Sequence, residues 1–116
     1  AEADIVLVVE DDPDASEALC DLLRGEGYST IAATDGQMAL DYLQSGALPC
    51  MIILDLLMPI MDGWRFRERL RENPALDRIP VVVVTAFGNR SPSDVVATFQ
   101  KPINIPSLLE TVARYC

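Results

Sequence analysis

The sequence predicts an α/β fold: a doubly wound, five-stranded parallel sheet with helices on both faces. Two observations carry this expectation. The runs at 5–9, 50–54 and 79–84 are rich in Val, Ile and Leu with no polar alternation, as in strands buried on both sides. Between the apolar runs lie amphipathic stretches at helical spacing, so that strand and helix alternate about five times. That alternation implies right-handed crossovers and a parallel sheet.

Each element has its own signals. Ile5, Val6, Leu7, Val8 and Val9 form the first strand. Asp12-Pro13-Asp14 opens a helix, because Pro is tolerated in a first turn and Asp caps it. Ala15, Ala18, Leu19, Leu22 and Leu23 recur on one face, and Gly25 and Gly27 stop the helix. A weaker strand at 28–33 belongs nearer an edge. Asp35-Gly36 opens a second helix that turns Met38, Ala39, Leu40 and Leu43 inward. The second buried strand, 50–54, leads into a loop over 55–63. A basic amphipathic helix then runs from Trp64 to Glu72 and ends at Asn73-Pro74. After the strand at 79–84 come Gly88, Pro92 and a short helical segment over 93–97. A minimal strand at 98–100 follows. Asn104 caps a last helix bearing Leu108, Leu109, Val112 and Ala113.

Size and charge narrow the function. A chain of 12.7 kDa is one domain, 1–116, and folds to roughly 6,200 Å² of accessible surface by the usual scaling. Half of the residues are apolar, which argues against disorder. No apolar run is long enough to span a bilayer, and no leader segment is visible. With 18 acidic and 9 basic residues the net charge is −9, which repels nucleic acid and anionic membranes and suits a cation site or a basic partner. The absence of His excludes imidazole catalysis. Cys20, Cys50 and Cys116 are widely spaced and form no zinc pattern or disulfide framework. They are expected as small buried or terminal thiols in a reducing compartment, and the protein is expected to be cytoplasmic.

In an open parallel sheet, ligands bind beyond the carboxyl ends of the strands. The ends here read Glu10-Asp11-Asp12, Asp55, Thr85-Ala86 and Lys101-Pro102. Each is ordinary alone, since acidic residues commonly cap helices. Together they are not. Carboxylates converging on one rim need a counter-charge, and Mg²⁺, which takes carboxylates, waters and phosphate oxygens, supplies it. A carboxylate nucleophile, a metal, a Lys and a hydroxyl are the parts of a phosphoryl-transfer site.

The segments Val8-Val9-Glu10-Asp11-Asp12, Leu54-Asp55-Leu56-Leu57-Met58-Pro59-Ile60-Met61-Asp62-Gly63, Val84-Thr85-Ala86 and Lys101-Pro102 resemble the receiver domain of bacterial two-component response regulators. The middle segment matches that family's D-x-x-M-P-x-M-D-G pattern at every specified position, and the resemblance spans essentially the whole chain. It implies a flavodoxin-like sheet of strand order 2-1-3-4-5. It also implies roles. Asp55 resembles the phosphoacceptor, Asp11 the direct metal carboxylate, Glu10 a ligand through water, and Leu57 a ligand through its backbone carbonyl. Thr85 and Lys101 would contact phosphoryl oxygens, with Ala86 leaving room. Asp12 would cap the helix, and Pro102 would follow a cis peptide. Met58, Pro59 and Met61 would shape the loop and pack its underside, while Gly63 would let the chain turn into a helix capped by Asp62. The implied partners are a histidine kinase or phosphotransfer protein and a downstream effector protein, with no direct nucleic acid and no membrane insertion.

The chain also departs from the family. Only 15 residues separate Thr85 from Lys101, so the fourth helix is shortened. The place of the family's switch aromatic holds Thr98, with Phe99 beside it at an inward position. Leu57 and Phe87, apolar and bulky, would flank the approach of a hydrolytic water and prolong the phosphorylated state. Arg65, Arg67, Arg69 and Arg71, at period two, read as a solvated helix face, and Trp64 as a packing residue partly exposed. Two other function classes stand beside the switch. A haloacid-dehalogenase-like phosphatase wants a second Asp where Leu57 stands, which argues against it. A phosphorylation-independent interaction module on the same scaffold is the alternative.

Overall fold

The three unbroken apolar runs become the middle of a sheet, because only there are both faces of a strand covered. In the computed structural model, residues 4–46, 48–56, 61–86 and 95–116 are described. Strands β1 (Ile5–Val9), β2 (Ser29–Ala33), β3 (Met51–Asp55), β4 (Val81–Thr85) and β5 (Ala97–Gln100) pair in parallel in the order β2-β1-β3-β4-β5. β3 and β4 are buried throughout and β1 nearly so. The edge strands β2 and β5 carry the exposed positions, as the polar content of 28–33 requires.

Pleating sends alternate residues to opposite faces. Val6, Val8, Met51, Ile53, Val82 and Val84 pack against Leu19 and Leu23 of α1 (Pro13–Gly25) and against Leu108 and Val112 of α5 (Ile105–Tyr115). Leu7, Val9, Ile52, Leu54, Val81 and Val83 pack on the other face. There they meet Leu40 and Leu43 of α2 (Gly36–Gln44), Phe66 and Leu70 of α3 (Gly63–Arg71) and Leu76 of α4 (Pro74–Asp77). The result is the expected doubly wound α/β fold, with an accessible surface of 6271 Å².

The helix starts follow from capping. Asp12 accepts from the Asp14 N–H at 3.0 Å, Asp35 from Met38 at 2.8 Å, Asp62 from Arg65 at 2.9 Å and Asn104 from Ser107 at 3.1 Å. After α1 the chain turns at Gly27, whose φ of 97° suits a residue without a side chain.

Four local expectations are corrected. Pro74 does more than end α3: Asn73 caps a new single turn, α4, with Pro in its first position. β5 starts one residue earlier than expected, at Ala97, because the Val96 N–H bonds the Val81 carbonyl at 2.9 Å and draws the segment onto the ladder. The rest of the short helix expected there lies largely outside the described residues, as do Met58, Pro59, Leu57 and Phe87.

Arg67 is not on a solvated face. Two residues along a helix is a rotation of about 200°, so a period-two run crosses to the inner side. Arg67 falls between Phe66 and Leu70 and is 4% exposed. Its guanidinium pairs with Asp77 at 2.9 Å, tying α3 to α4, while its Nε finds no hydrogen-bond partner among the described residues.

The cysteines are not all free thiols. Cys50, just before β3, is disulfide-bonded to Cys116, which caps α5, across 66 positions of sequence and 5.4 Å between Cα atoms. Cys20 is the free, buried cysteine.

Candidate functional site

Strand order reverses between β1 and β3, since β2 lies on one side of β1 and β3 on the other. In open parallel sheets such a point, beyond the carboxyl ends of the strands, is where ligands bind. Glu10 and Asp11 follow β1 directly, and the Glu10 N–H is anchored to the Ala33 carbonyl at 3.0 Å. Asp55 is the last residue of β3, in register with Val84, so Thr85 at the end of β4 lies one step further along the rim. Lys101 follows β5, and its N–H bonds the Thr85 carbonyl at 2.8 Å. The Lys101–Pro102 peptide is cis.

The sheet thereby gathers five of the residues singled out in the sequence. Glu10, Asp11 and Asp55 each offer an oxygen within 4.8 Å of the others. The Lys101 ammonium donates to Glu10 Oε1 at 2.6 Å and lies 3.5 Å from Asp55 Oδ2. Glu10, Asp55 and Thr85 are buried, whereas Asp11 faces solvent. Asp12 stands apart from the cluster and caps α1. Ala86 follows Thr85 in an exposed position. Met61 is buried, with its backbone and side chain against Gly36. Trp64 is partly exposed, and Phe99 packs against the face that holds α1 and α5.

One pairing was not foreseen. Glu10 was read only as a metal ligand, yet it holds Lys101. The signal lay in the charge count: three carboxylates share a rim with one lysine, and the most buried of them takes it.

The electrostatics of this arrangement are unbalanced. Burial and the neighbouring Asp55 carboxylate push Glu10 above the usual carboxylate range, and Lys101 draws it only partly back. Desolvation and Glu10 also raise Asp11. Burial alone would lower Lys101, but Glu10 and Asp55 outweigh it and hold the ammonium above its ordinary range. Glu10 Oε2 is buried with no hydrogen-bond partner among the described residues. An orphaned carboxylate oxygen beside two further carboxylates is what a hard divalent cation satisfies. The donor set fits Mg²⁺.

These shifts fix the sign of a pH effect. The folded chain holds protons on Glu10 and Asp11 that the unfolded chain releases near 4.5 and 3.8. Their contribution to stability is therefore fullest below those values and is lost as pH rises through the raised ones. Lys101, raised above 10.5, keeps its contribution throughout that window. In chelator-containing buffer, Glu10→Gln is expected to match wild type near pH 4 and to gain on it as pH rises toward 7. Urea midpoints across that range check this, and a gap that closes with rising pH contradicts it.

Residues 6–113 match the family model of the response regulator receiver domain. The polar-differentiation response regulator DivK of Brucella anthropi is 31% identical over 116 residues, spanning 95% of this chain and 94% of that protein. Among solved structures, the signal receiver domain of a signal transduction histidine kinase from Syntrophus aciditrophicus superposes with a TM-score of 0.86 at 33% identity. The match covers 97% of this chain and 89% of that one. A response regulator receiver protein from Pseudomonas putida superposes with a TM-score of 0.87 at 26% identity over 98% of each chain.

Proposed function

Because the chain belongs to the response regulator receiver domain family, we propose that it is a phosphorylation switch that accepts a phosphoryl group on Asp55 in a Mg²⁺-dependent reaction. The observation that carries this reading is the convergence of Glu10, Asp11 and Asp55 within 4.8 Å beside the Lys101 ammonium. Asp11, Asp55 and the Leu57 carbonyl, with Glu10 through water, would hold a Mg²⁺ ion, which when bound would supply positive charge to the phosphoryl oxygens.

The chain's own residues do the rest. The Asp55 carboxylate attacks phosphorus, and the P–N bond of the donor's phosphohistidine breaks. The Thr85 hydroxyl donates to one phosphoryl oxygen, and Lys101, shared with Glu10 beforehand, pairs with another. Both sit at ends of neighbouring strands, so drawing them inward repositions the β4 and β5 rim and alters a surface read by an effector protein. The donor is a histidine kinase or phosphotransfer protein. An apolar cleft of about 330 Å³, lined by Ala15, Ala18, Leu19, Leu22, Pro102 and Ile103 and opening beside Lys101, suits an amphipathic helix carrying that histidine. Among the described residues no helix is long and apolar enough to cross a membrane. We place the protein in the cytoplasm, where kinases draw on ATP. The domain signals and is not an enzyme in the ordinary sense.

Two measurements test this reading. Incubation with acetyl phosphate and Mg²⁺ should give stoichiometric, acid-stable, base-labile labelling. Absence of labelling would favour a phosphorylation-independent interaction module, and rapid multiple turnover would favour a phosphatase. Mg²⁺ should also stabilise the folded chain by about 1.4 kcal/mol at roughly ten times its Kd. Asp11→Ala should abolish that rise, and a melting point that still climbs equally with Mg²⁺ counts against the assignment.

A further inference from the structure

We propose that Cys50 and Cys116 form a reversible redox site, through which small thiols or a dithiol oxidoreductase set how firmly α5 is fastened to the sheet. The pair lies at the pole opposite the carboxylate cluster. Cys50 immediately precedes β3, the strand that ends in Asp55, and Cys116 closes α5, the helix that follows Lys101. The bond therefore clamps together the far ends of the two segments that deliver Asp55 and Lys101 to the rim.

Three features make the site exchangeable. Both cysteines are partly buried at the edge of the α1 and α5 core rather than enclosed in it as Cys20 is, so the bond lies nearer to an attacking thiolate than a core sulfur does. The bond is not what seats α5, because Leu108 and Val112 are fully buried in the core on their own helix face. The reduced form also has a place for its thiol: Cys50 Sγ lies 3.3 Å from the Ile5 carbonyl oxygen, an acceptor for the S–H that reduction creates. Cutting the bond removes a cross-link across 66 positions while leaving both faces of the sheet packed.

The exchange balances as a two-electron step. Two external thiols, or one dithiol, attack the protein disulfide in turn. The first attack gives a mixed disulfide and one free cysteine thiolate, and the second releases the oxidised reagent. Both cysteine sulfurs end as protonated thiols. Oxidation runs the same path backward with a disulfide of the same class as the oxidant.

The test uses the whole chain, folded, equilibrated in graded mixtures of oxidised and reduced glutathione or dithiothreitol. The samples are then alkylated without denaturant and weighed. Cys50 and Cys116 should become labelled together in one two-electron transition, with Cys20 labelled only after unfolding. The melting temperature should fall on reduction by on the order of 10 °C. Hydrogen exchange should quicken in the last turn of α5 while the core strands stay protected. Cys50→Ser should melt like the reduced protein and lose its response to oxidant. A bond that yields to reductant only in denaturant would overturn the proposal in favour of a fixed staple. Two thiols that remain free in oxidised glutathione would overturn it as well. Every readout is independent of phosphoryl transfer, so the proposal stands or falls separately from the function of Asp55.

Discussion

Asp55→Asn should reduce labelling by acetyl phosphate to background while leaving a folded protein that is more stable than wild type in the absence of metal. The amide keeps the shape of the carboxylate but has no nucleophilic oxygen anion, so the first half of the prediction follows from chemistry alone. The second half follows from charge. Glu10, Asp11 and Asp55 crowd within 4.8 Å, and Lys101 is the cation that faces them among the described residues. Asp55 pushes Glu10 upward, so removing its charge lets Glu10 ionise more readily against Lys101 at 2.6 Å. The variant loses the longer contact, 3.5 Å, and keeps the shorter. At the effective dielectric of a partly buried site, a gain of about 1 kcal/mol at low salt is the expected scale. Mg²⁺ should reverse the order, because wild type binds it through one more carboxylate. Urea unfolding with chelator and with Mg²⁺ checks both signs. A variant less stable than wild type without metal would show that Lys101 and Asp55 attract more than the carboxylates repel.

The central sheet and the site were legible in the sequence for the same reason. A strand covered on both faces has to be apolar at every position, so 5–9, 50–54 and 79–84 announced themselves, and the polar residues that end each run had to lie on one rim once the strands were parallel. Register then did what no local signal could. It set Asp55 beside Val84 and Thr85 beside Gln100, which brings Lys101 to Glu10 across 91 positions of sequence. Other features turned on three-dimensional coincidence. Arg67 looked solvated because charge suggests a surface, yet the helix rotates it inward and Asp77 compensates it from a separate turn.

The disulfide was missed because spacing along the chain says nothing about it. Eleven residues of α5 rise roughly 16 Å. Five residues of β3 extend about the same distance. A helix that leaves the rim at Lys101 and runs back over the sheet must therefore end level with the start of β3, and Cys116 meets Cys50 there. Only the strand order, together with the face on which α5 packs, makes that arithmetic available.

Gly63→Ala should be the most damaging single methyl that can be added near the site. The sequence suggested that Gly63 eases a turn, but its backbone is helical and needs no special freedom. What it needs is space. Its N–H donates to the Leu56 carbonyl at 2.8 Å, closing the loop that leaves β3. An added Cβ would stand 2.7 Å from the Leu56 Cα, 2.8 Å from its Cδ2 and 3.1 Å from the Asp55 carbonyl oxygen. The nearest of these is backbone, which cannot rotate aside, so either α3 lifts from the sheet or Leu56 is displaced. Overpacking of this kind costs about 1–3 kcal/mol, and the upper end applies where the clash is with main chain. Because Leu56 is bonded to Asp55, the same shift should loosen the carboxylate cluster and weaken Mg²⁺ binding several-fold. Asp62→Ala separates the two effects. It removes the cap that accepts from the Arg65 N–H, at a cost of about 1 kcal/mol, without touching Leu56. Equal Mg²⁺ affinity in wild type and Asp62→Ala, with weaker binding in Gly63→Ala, is the expected pattern. A Gly63→Ala protein as stable as wild type, binding Mg²⁺ equally well, would show that the contact between the start of α3 and the end of β3 relaxes freely and that this glycine does not position Asp55.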